Sequence, residues 1–382
     1  MRYRRLGQTG LKVSEIGFGG EWLSQHTQEE CVEMIHHAAN CGINILDCWM
    51  SDPQVRSSIG AGIKGNRENW IIQGHIGSTW QKGQYERSRD VIICKQAFED
   101  LLERLGTDYI DLGMIHYIDE QEEWNRVIDS DYLDYVRELK HEGKIRHIGM
   151  STHNPLIARQ AVESGIVEMI LFSINPAFDM LPAKESIDDV INEDYHDESL
   201  AAINEDRVIL YKLCERYDVG ITVMKGFAGG RLFDASQSPF GVALTPIQCL
   251  HYALTRPAVA SVMAGFNMIE HIDDAVRYEQ ATDEELDYAS ILSNAPKHAY
   301  RGQCTYCGHC APCSKEIDIA MVNKLYDLAT MQTDVPESLK EHYRNLNHHA
   351  DECISCQICE DRCPFGVHIA ERMNLASKLF GA

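Results

Sequence analysis

The chain has 382 residues, 35 of them basic and 58 acidic, for a formal net charge of −23. That length accommodates a barrel of about 250 residues and a smaller domain. The charge argues against nucleic acid and anionic membranes as partners, since both demand basic patches. No apolar run approaches the roughly eighteen residues of a membrane span.

The first residues, MRYRRLGQTGLKV, are basic but are followed by no long apolar run, so no secretory signal is expected. Without one, the 14 cysteines read as thiols kept reduced in the cytoplasm, not as a disulfide scaffold. Cys31, Cys41, Cys48, Cys94, Cys214 and Cys249 lie singly among apolar residues and read as small buried hydrophobes. Cys48 is kept open because it adjoins a strand end.

In chain order, eight short apolar runs alternate with amphipathic helical stretches up to about residue 280. The runs are VSEIGFG, INILD, NWIIQGHI, YIDLGMIH, IRHIGMS, VEMILFSI, GITVMKG and VASVMAG. Each is rich in Ile and Val and apolar on both faces, as strands of a buried parallel sheet are. The stretches TQEECVEMIHHAANCG and SRDVIICKQAFEDLLERLG predict helices that open on Thr and Ser and close on Gly. Eight such units predict a (β/α)8 barrel over residues 1–297. After the sixth strand, an acidic insertion at about 179–206 is longer than ordinary barrel loops. It reads either as a solvated excursion or as a lid.

From residue 298 to 382 the pattern changes. Cys353-x2-Cys356-x2-Cys359-x3-Cys363-Pro364 has the bacterial ferredoxin spacing for a [4Fe-4S] cluster, in which the fourth cysteine serves the other cluster. Cys304-x2-Cys307-x2-Cys310-x2-Cys313 is one residue shorter. The expected partition is Cys304, Cys307, Cys310 and Cys363 on one cluster, and Cys353, Cys356, Cys359 and Cys313 on a second. Zinc fits poorly, because the cysteines do not fall into well-separated pairs. A unit this small also needs metal to stand.

The segments RYRRLGQTGLKVSEIGFGG, INILD, RLGTDYIDLGMIH, EGKIRHIGMSTHNP and VMKGFAGGRL together resemble the aldo-keto reductases. The cysteine tail narrows the resemblance to the branch with a C-terminal ferredoxin-like domain. The resemblance implies NADPH-dependent carbonyl reduction by a tetrad of Asp, Tyr, Lys and His at the barrel mouth. Asp47 and His116 stand where the family has its Asp and His. The Tyr position, five residues after the Asp, holds Asp52 in 47-DCWMSDP-53, and the Lys position holds His75 in 73-QGH-75.

Asp47, Asp52, His75 and His116 are therefore expected to form an acid/base cluster in place of that tetrad. A metal reading of these four gains nothing from their spacing. If another acid is needed, Tyr117 beside His116 is the first suspect. Ser151 and Thr152 occupy the family's carboxamide-binding positions, and Leu171 stands near its carboxamide-binding Gln. Gly229, Gly230 and Arg231 could serve a pyrophosphate or simply form a tight turn. In the last strand's turn, which includes Asn267, Gly265 and His271 stand where the family holds a 2′-phosphate with Lys and Arg. The sequence thus gives no support for NADP, and it allows NAD without demanding it.

The reading that follows is an iron–sulfur oxidoreductase with two [4Fe-4S] clusters, acting on a small carbonyl or hydroxyl compound. Its partners are that small molecule and an external electron carrier. Two rival classes share the scaffold. One is an isomerase, epimerase or lyase with structural clusters; the other is a non-catalytic redox sensor or electron-transfer partner.

Overall fold

The computed structural model describes residues 1–184, 195, 200–332 and 334–381. The strands are β1 (Tyr3–Arg5), β2 (Lys12–Ser14), β3 (Ile16–Gly19), β4 (Ile45–Cys48), β5 (Ile71–Ile76), β6 (Ser78–Gln81) and β7 (Gln84–Arg87). They continue as β8 (Ile110–Ile115), β9 (Ile145–Thr152), β10 (Met169–Ser173), β11 (Gly220–Met224) and β12 (Val259–Gly265). A closed barrel runs β3-β4-β5-β8-β9-β10-β11-β12, each strand parallel to the next and β12 pairing back to β3. The chain is a (β/α)8 barrel with a cysteine-rich tail.

Side chains alternate between two cores, as strand geometry requires. Ile45, Leu112, Met114, Met169, Leu171, Ala260 and Met263 fill the barrel interior. The outward residues meet the surrounding helices in the larger core. The run VSEIGFG splits in two. Lys12–Ser14 pairs antiparallel with Tyr3–Arg5 to close the barrel floor, and only Ile16–Gly19 enters the barrel. Gly7 sits where that floor meets β11; its φ is +49°, and a Cβ there would lie 2.2 Å from the backbone N of Gly220.

The helix Gln28–Asn40 starts on Thr27 with a full capping box, as its sequence predicts. The helix Val91–Leu105 is capped by Asp90 instead of Ser88, because the Asp90 carboxylate reaches the Ile92 and Ile93 amides at 2.9 and 3.0 Å. The hairpin β6–β7, inserted after β5, is not among the predicted strands. Its turn residues Lys82 and Gly83 both have positive φ, 52° and 80°, as a tight two-residue hairpin requires.

After β10, the buried helix Pro176–Asp179 begins the long connection. Residues 185–194 and 196–199 of the acidic insertion lie outside the described residues, and the lid expectation for them lies there too. In the tail, the helix Ile319–Ala329 packs on Ile369–Phe380 and on the barrel helix Glu205–Arg216. Ion pairs Lys324–Glu215 at 3.2 Å and Lys212–Asp327 at 3.9 Å cross that contact. Buried Arg256 donates to the carbonyl of Thr305 at 2.6 Å, tying the first cysteine loop to the barrel.

Candidate active site and cysteine cavities

The C-terminal ends of β4, β5 and β8 lie side by side, and each presents one chemical group to the mouth. Asp47 lies on β4, His75 on β5 and His116 directly after β8. The His75 Nε2 lies 3.0 Å from Asp47 Oδ1, and its Nδ1 lies 2.8 Å from His116 Nδ1. The same Asp47 oxygen accepts from Gln73 Nε2 at 2.6 Å, and Gln73 Oε1 accepts from Thr222 Oγ1 at 2.9 Å. The Gln73 amide, itself held by Thr222, therefore fixes the Asp47 carboxylate. Asp47, His75 and His116 are each 5% exposed or less.

The run continues to a residue that sequence reasoning missed. The Tyr85 hydroxyl lies 2.7 Å from His116 Nε2. Tyr85 comes from β7, and the hairpin carrying it is fastened at both ends. Ser78 Oγ donates to the Trp49 carbonyl at 2.6 Å, and Ser51 Oγ donates to the Thr79 carbonyl at 2.7 Å. At the end of β7 and just past it, Arg87 and Arg89 pair with the buried Glu123 at 3.1 and 2.9 Å. The Trp49 ring stacks parallel to His116, 6.5 Å away, and meets Tyr85 edge-on at 5.7 Å. The findable signal was the alternation STWQ and QYER about a Lys-Gly pair, a hairpin pattern.

Asp52 is not brought into this group. Its carboxylate caps the helix Pro53–Ile63, accepting from the Gln54 amide at 2.7 Å and the Val55 amide at 3.4 Å. Position 52 precedes Pro53 at a helix start, where a short acid satisfies free amides. Tyr117 has a positive φ of 50°, and its ring meets His153 edge-on at 5.3 Å. The phenol that reaches His116 belongs to Tyr85. Cys48 packs outward into the barrel–helix core, and burial pushes its thiol up to about 12, as suits an inert hydrophobe.

Electrostatics separate the groups. Burial, helped by His75 and the arginines Arg89 and Arg87, holds His116 well below the usual histidine range, so its imidazole is neutral. Burial raises the Tyr85 phenol above its ordinary value. With His116 neutral, one of its ring nitrogens donates and the other accepts.

At the positions the sequence offers to a dinucleotide, the structure is mixed. Ser151 accepts from the Tyr117 amide at 2.8 Å. Thr152 is fully buried and turns its hydroxyl to Asp119, 2.8 Å away, which also holds His153. Asn267 gives its carbonyl oxygen to His26 at 2.8 Å. Gly229 and Gly230 adopt left-handed φ of 67° and 87° beside Arg231, with open space where a Cβ would stand. The turn can cradle an anion, but Ser151 and Thr152 are already engaged, so they do not present a ready carboxamide site.

The cysteines of the tail are all free thiols and gather into two cavities. Cys304, Cys307, Cys310 and Cys363 line one; Cys313, Cys353, Cys356 and Cys359 line the other. Each three-cysteine loop is curled by two left-handed residues: Tyr306 (φ 56°) and Gly308 (84°) in the first, Ser355 (53°) and Gln357 (61°) in the second. This curl brings cysteines spaced three apart to the lining of one cavity. Burial lifts the Cys304 and Cys310 thiols to about 12, so thiolates there need a bound cationic centre. Four cysteines lining each cavity fit the ligand number of an iron–sulfur cubane.

Comparison with known proteins agrees with this architecture. Residues 15–245 match the profile of the Aldo/keto reductase family, and residues 303–368 match that of the 4Fe-4S dicluster domain. The chain is 28% identical over 320 residues to the uncharacterized oxidoreductase YqkF of Bacillus subtilis, covering 79% of this chain and 99% of that protein. It is 28% identical over 178 residues to the NADH-specific methylglyoxal reductase of Escherichia coli, covering 43% of this chain and 54% of that protein. The holo structure of aldo-keto reductase AKR11C1 from Bacillus halodurans superposes with a TM-score of 0.58 at 24% identity, covering 75% of this chain and 94% of that one. The chain is an oxidoreductase that belongs to the aldo/keto reductase family and ends in a 4Fe-4S dicluster domain.

Proposed function

We propose that this oxidoreductase acts on a small carbonyl or hydroxyl compound at the C-terminal mouth of its barrel, with Asp47, His75 and His116 replacing the family's Tyr- and Lys-based acid machinery. The observation that supports this reading is the unbroken run Asp47–His75–His116, bonded at 3.0 and 2.8 Å across three adjacent strand ends. Barrel enzymes keep their chemistry at that end. A buried neutral imidazole beside one held by a carboxylate separates a proton acceptor from a proton store. Trp49, Tyr85 and Tyr117 add an aromatic wall suited to the carbon skeleton of a short substrate. Similarity to a methylglyoxal reductase supports a short oxo compound as the substrate class.

The eight tail cysteines hold two [4Fe-4S] clusters in this reading, Cys363 and Cys313 each crossing to the cluster of the other loop. Bound clusters supply one-electron exchange with an external carrier. The chain's own residues bind them, and Arg256 and Tyr288, both bonded to Thr305, fix the first cysteine loop to the barrel. Because the carboxamide positions are engaged, no step is assigned to a dinucleotide.

The test uses anaerobically purified protein, a panel of short 2-oxoaldehydes and hydroxyaldehydes, and either NADH or reduced methyl viologen as donor. Turnover that depends on a donor and disappears in His75→Gln, with iron content unchanged, is the expected result. Turnover that survives removal of every donor would overturn the redox reading. Wild-type rates in both His75→Gln and His116→Gln would place the chemistry elsewhere.

A further inference from the structure

We propose that Tyr85 is the group that exchanges a proton with the substrate oxygen, through a hydrogen-bonded chain that reverses its direction when it gains one proton. The proposal rests on the barrel-mouth reading above and extends it to a residue and a direction of transfer.

Exposure is the first argument. Asp47, His75 and His116 are 5%, 3% and 5% exposed, whereas Tyr85 is 40% exposed. The chain is a buried wire with one end at the surface. A substrate approaching His116 Nε2 finds that nitrogen already occupied by the Tyr85 hydroxyl at 2.7 Å. The hairpin's fastenings at Trp49 and Glu123 hold the phenol in place.

Hydrogen-bond accounting is the second. Asp47 Oδ1 accepts from Gln73, so the His75 nitrogen facing it carries hydrogen. When His75 is neutral, its Nδ1 accepts, His116 donates through Nδ1, and His116 Nε2 accepts from the Tyr85 hydroxyl. All bonds then point toward Asp47. When one proton is added, His75 carries it, because it faces the carboxylate while His116 stays neutral. His75 Nδ1 then donates, His116 carries its hydrogen on Nε2, and Tyr85 becomes the acceptor with its own O–H free. All bonds now point outward. The chain has two settings, and His116 changes tautomer between them without ever becoming charged.

Each setting suits one direction. In the loaded setting, the Tyr85 O–H bond breaks as a substrate O–H bond forms. Tyr85 takes the His116 Nε2 hydrogen, and His116 Nδ1 takes the His75 Nδ1 hydrogen. His75 is left neutral on Asp47. One proton leaves the chain and no electron moves in this step. Run backward from the empty setting, the same steps take a proton from a substrate hydroxyl. Among the described residues, the other charged or titratable groups acting on the pair are Arg87 and Arg89, which share the single carboxylate of Glu123 and so keep a net positive charge, and His153, held by Asp119.

The test measures the tautomers in the full, cluster-bearing chain. Histidine labelled with ¹⁵N, followed by two-bond correlation spectra from about pH 5 to about 10, should show the hydrogen-bonded pair taking up a single proton with one midpoint. At the same midpoint, His116 should switch from Nε2–H to Nδ1–H. Tyr85→Phe keeps the ring and removes only the hydroxyl, and it should slow turnover of the 2-oxoaldehyde panel by about 10²–10⁴, with iron content unchanged. A His116 tautomer that does not change across the titration overturns the proposal. So does a wild-type rate in Tyr85→Phe where His75→Gln is inactive, and that result leaves the barrel-mouth reading standing. Wild-type rates in His75→Gln, His116→Gln and Tyr85→Phe alike defeat the barrel-mouth reading itself, and the role of Tyr85 with it.

Discussion

His75 and His116 face each other nitrogen to nitrogen, Nδ1 to Nδ1, at 2.8 Å. One hydrogen serves that bond, so the two rings cannot be altered independently. His75→Gln and His116→Gln should each cost about 10²–10⁴ in turnover, the usual worth of positioned proton transfer. The double variant should cost little more than either single one, because both break the same chain. Additive losses, measured with the 2-oxoaldehyde panel, would show two independent groups.

The pH dependence should differ between the two reaction directions. Reduction uses the loaded chain, so its rate falls as pH rises through the chain's single titration; oxidation rises at the same midpoint. His116, held well below 6.5 chiefly by burial, protonates only in more acid solution, and Tyr85, raised above 10.0 chiefly by burial, ionises only in more alkaline solution. Losses from those two groups therefore lie outside the neutral range. Rate profiles in both directions, measured on one preparation, decide the matter. Parallel profiles would contradict a shared proton.

Asp52 is a test of placement. As a helix cap, Asp52→Ala should cost about 1 kcal/mol of stability and leave turnover unchanged. Denaturant melts and rates with the same substrate panel check it. A large loss of rate at unchanged stability would restore Asp52 to the catalytic group.

The cysteine cavities make a crossed prediction. Cys363 ends the second motif but lines the cavity of Cys304, Cys307 and Cys310. Cys363→Ala should therefore remove the cluster of the first loop, and Cys313→Ala that of the second. Iron should fall from about eight to about four atoms per chain in either variant. Zinc in place of iron, or about four irons in the wild type, would defeat the two-cluster reading.

Asp179 is fully buried. It pairs with buried Arg207 at 3.4 Å and accepts from the hydroxyls of Tyr211 and Tyr252 at 2.5 and 2.7 Å. Asp179→Ala strands the Arg207 charge and should cost about 3–5 kcal/mol. Adding Arg207→Met should recover part of that loss. Equilibrium unfolding in denaturant measures both.

Much of this architecture is local and was legible as such. Strands buried on both faces read as continuous Ile- and Val-rich runs, and eight of them separated by amphipathic helices imply a closed barrel. Cysteine spacing is a property of one loop, so the dicluster match could be anticipated from the motifs alone. Asp47, His75 and His116 were visible because the last residues of barrel strands fall at the mouth whatever the neighbouring elements do. What the sequence by itself determined was therefore whatever one element's own period or spacing sets.

Tertiary structure decided what depends on one element meeting another. Asp52 could face the mouth or cap its own helix, and the backbone amides of Gln54 and Val55 claimed it. Thr152 could meet a cofactor, yet Asp119 from the preceding loop holds it. Tyr85 stands 31 residues before His116, on a hairpin whose direction is set by its fastenings to Trp49, Ser51 and Glu123. No spacing rule connects those positions. A hydrogen bond between separate elements follows from the path of the backbone between them, and only the folded barrel fixes that path.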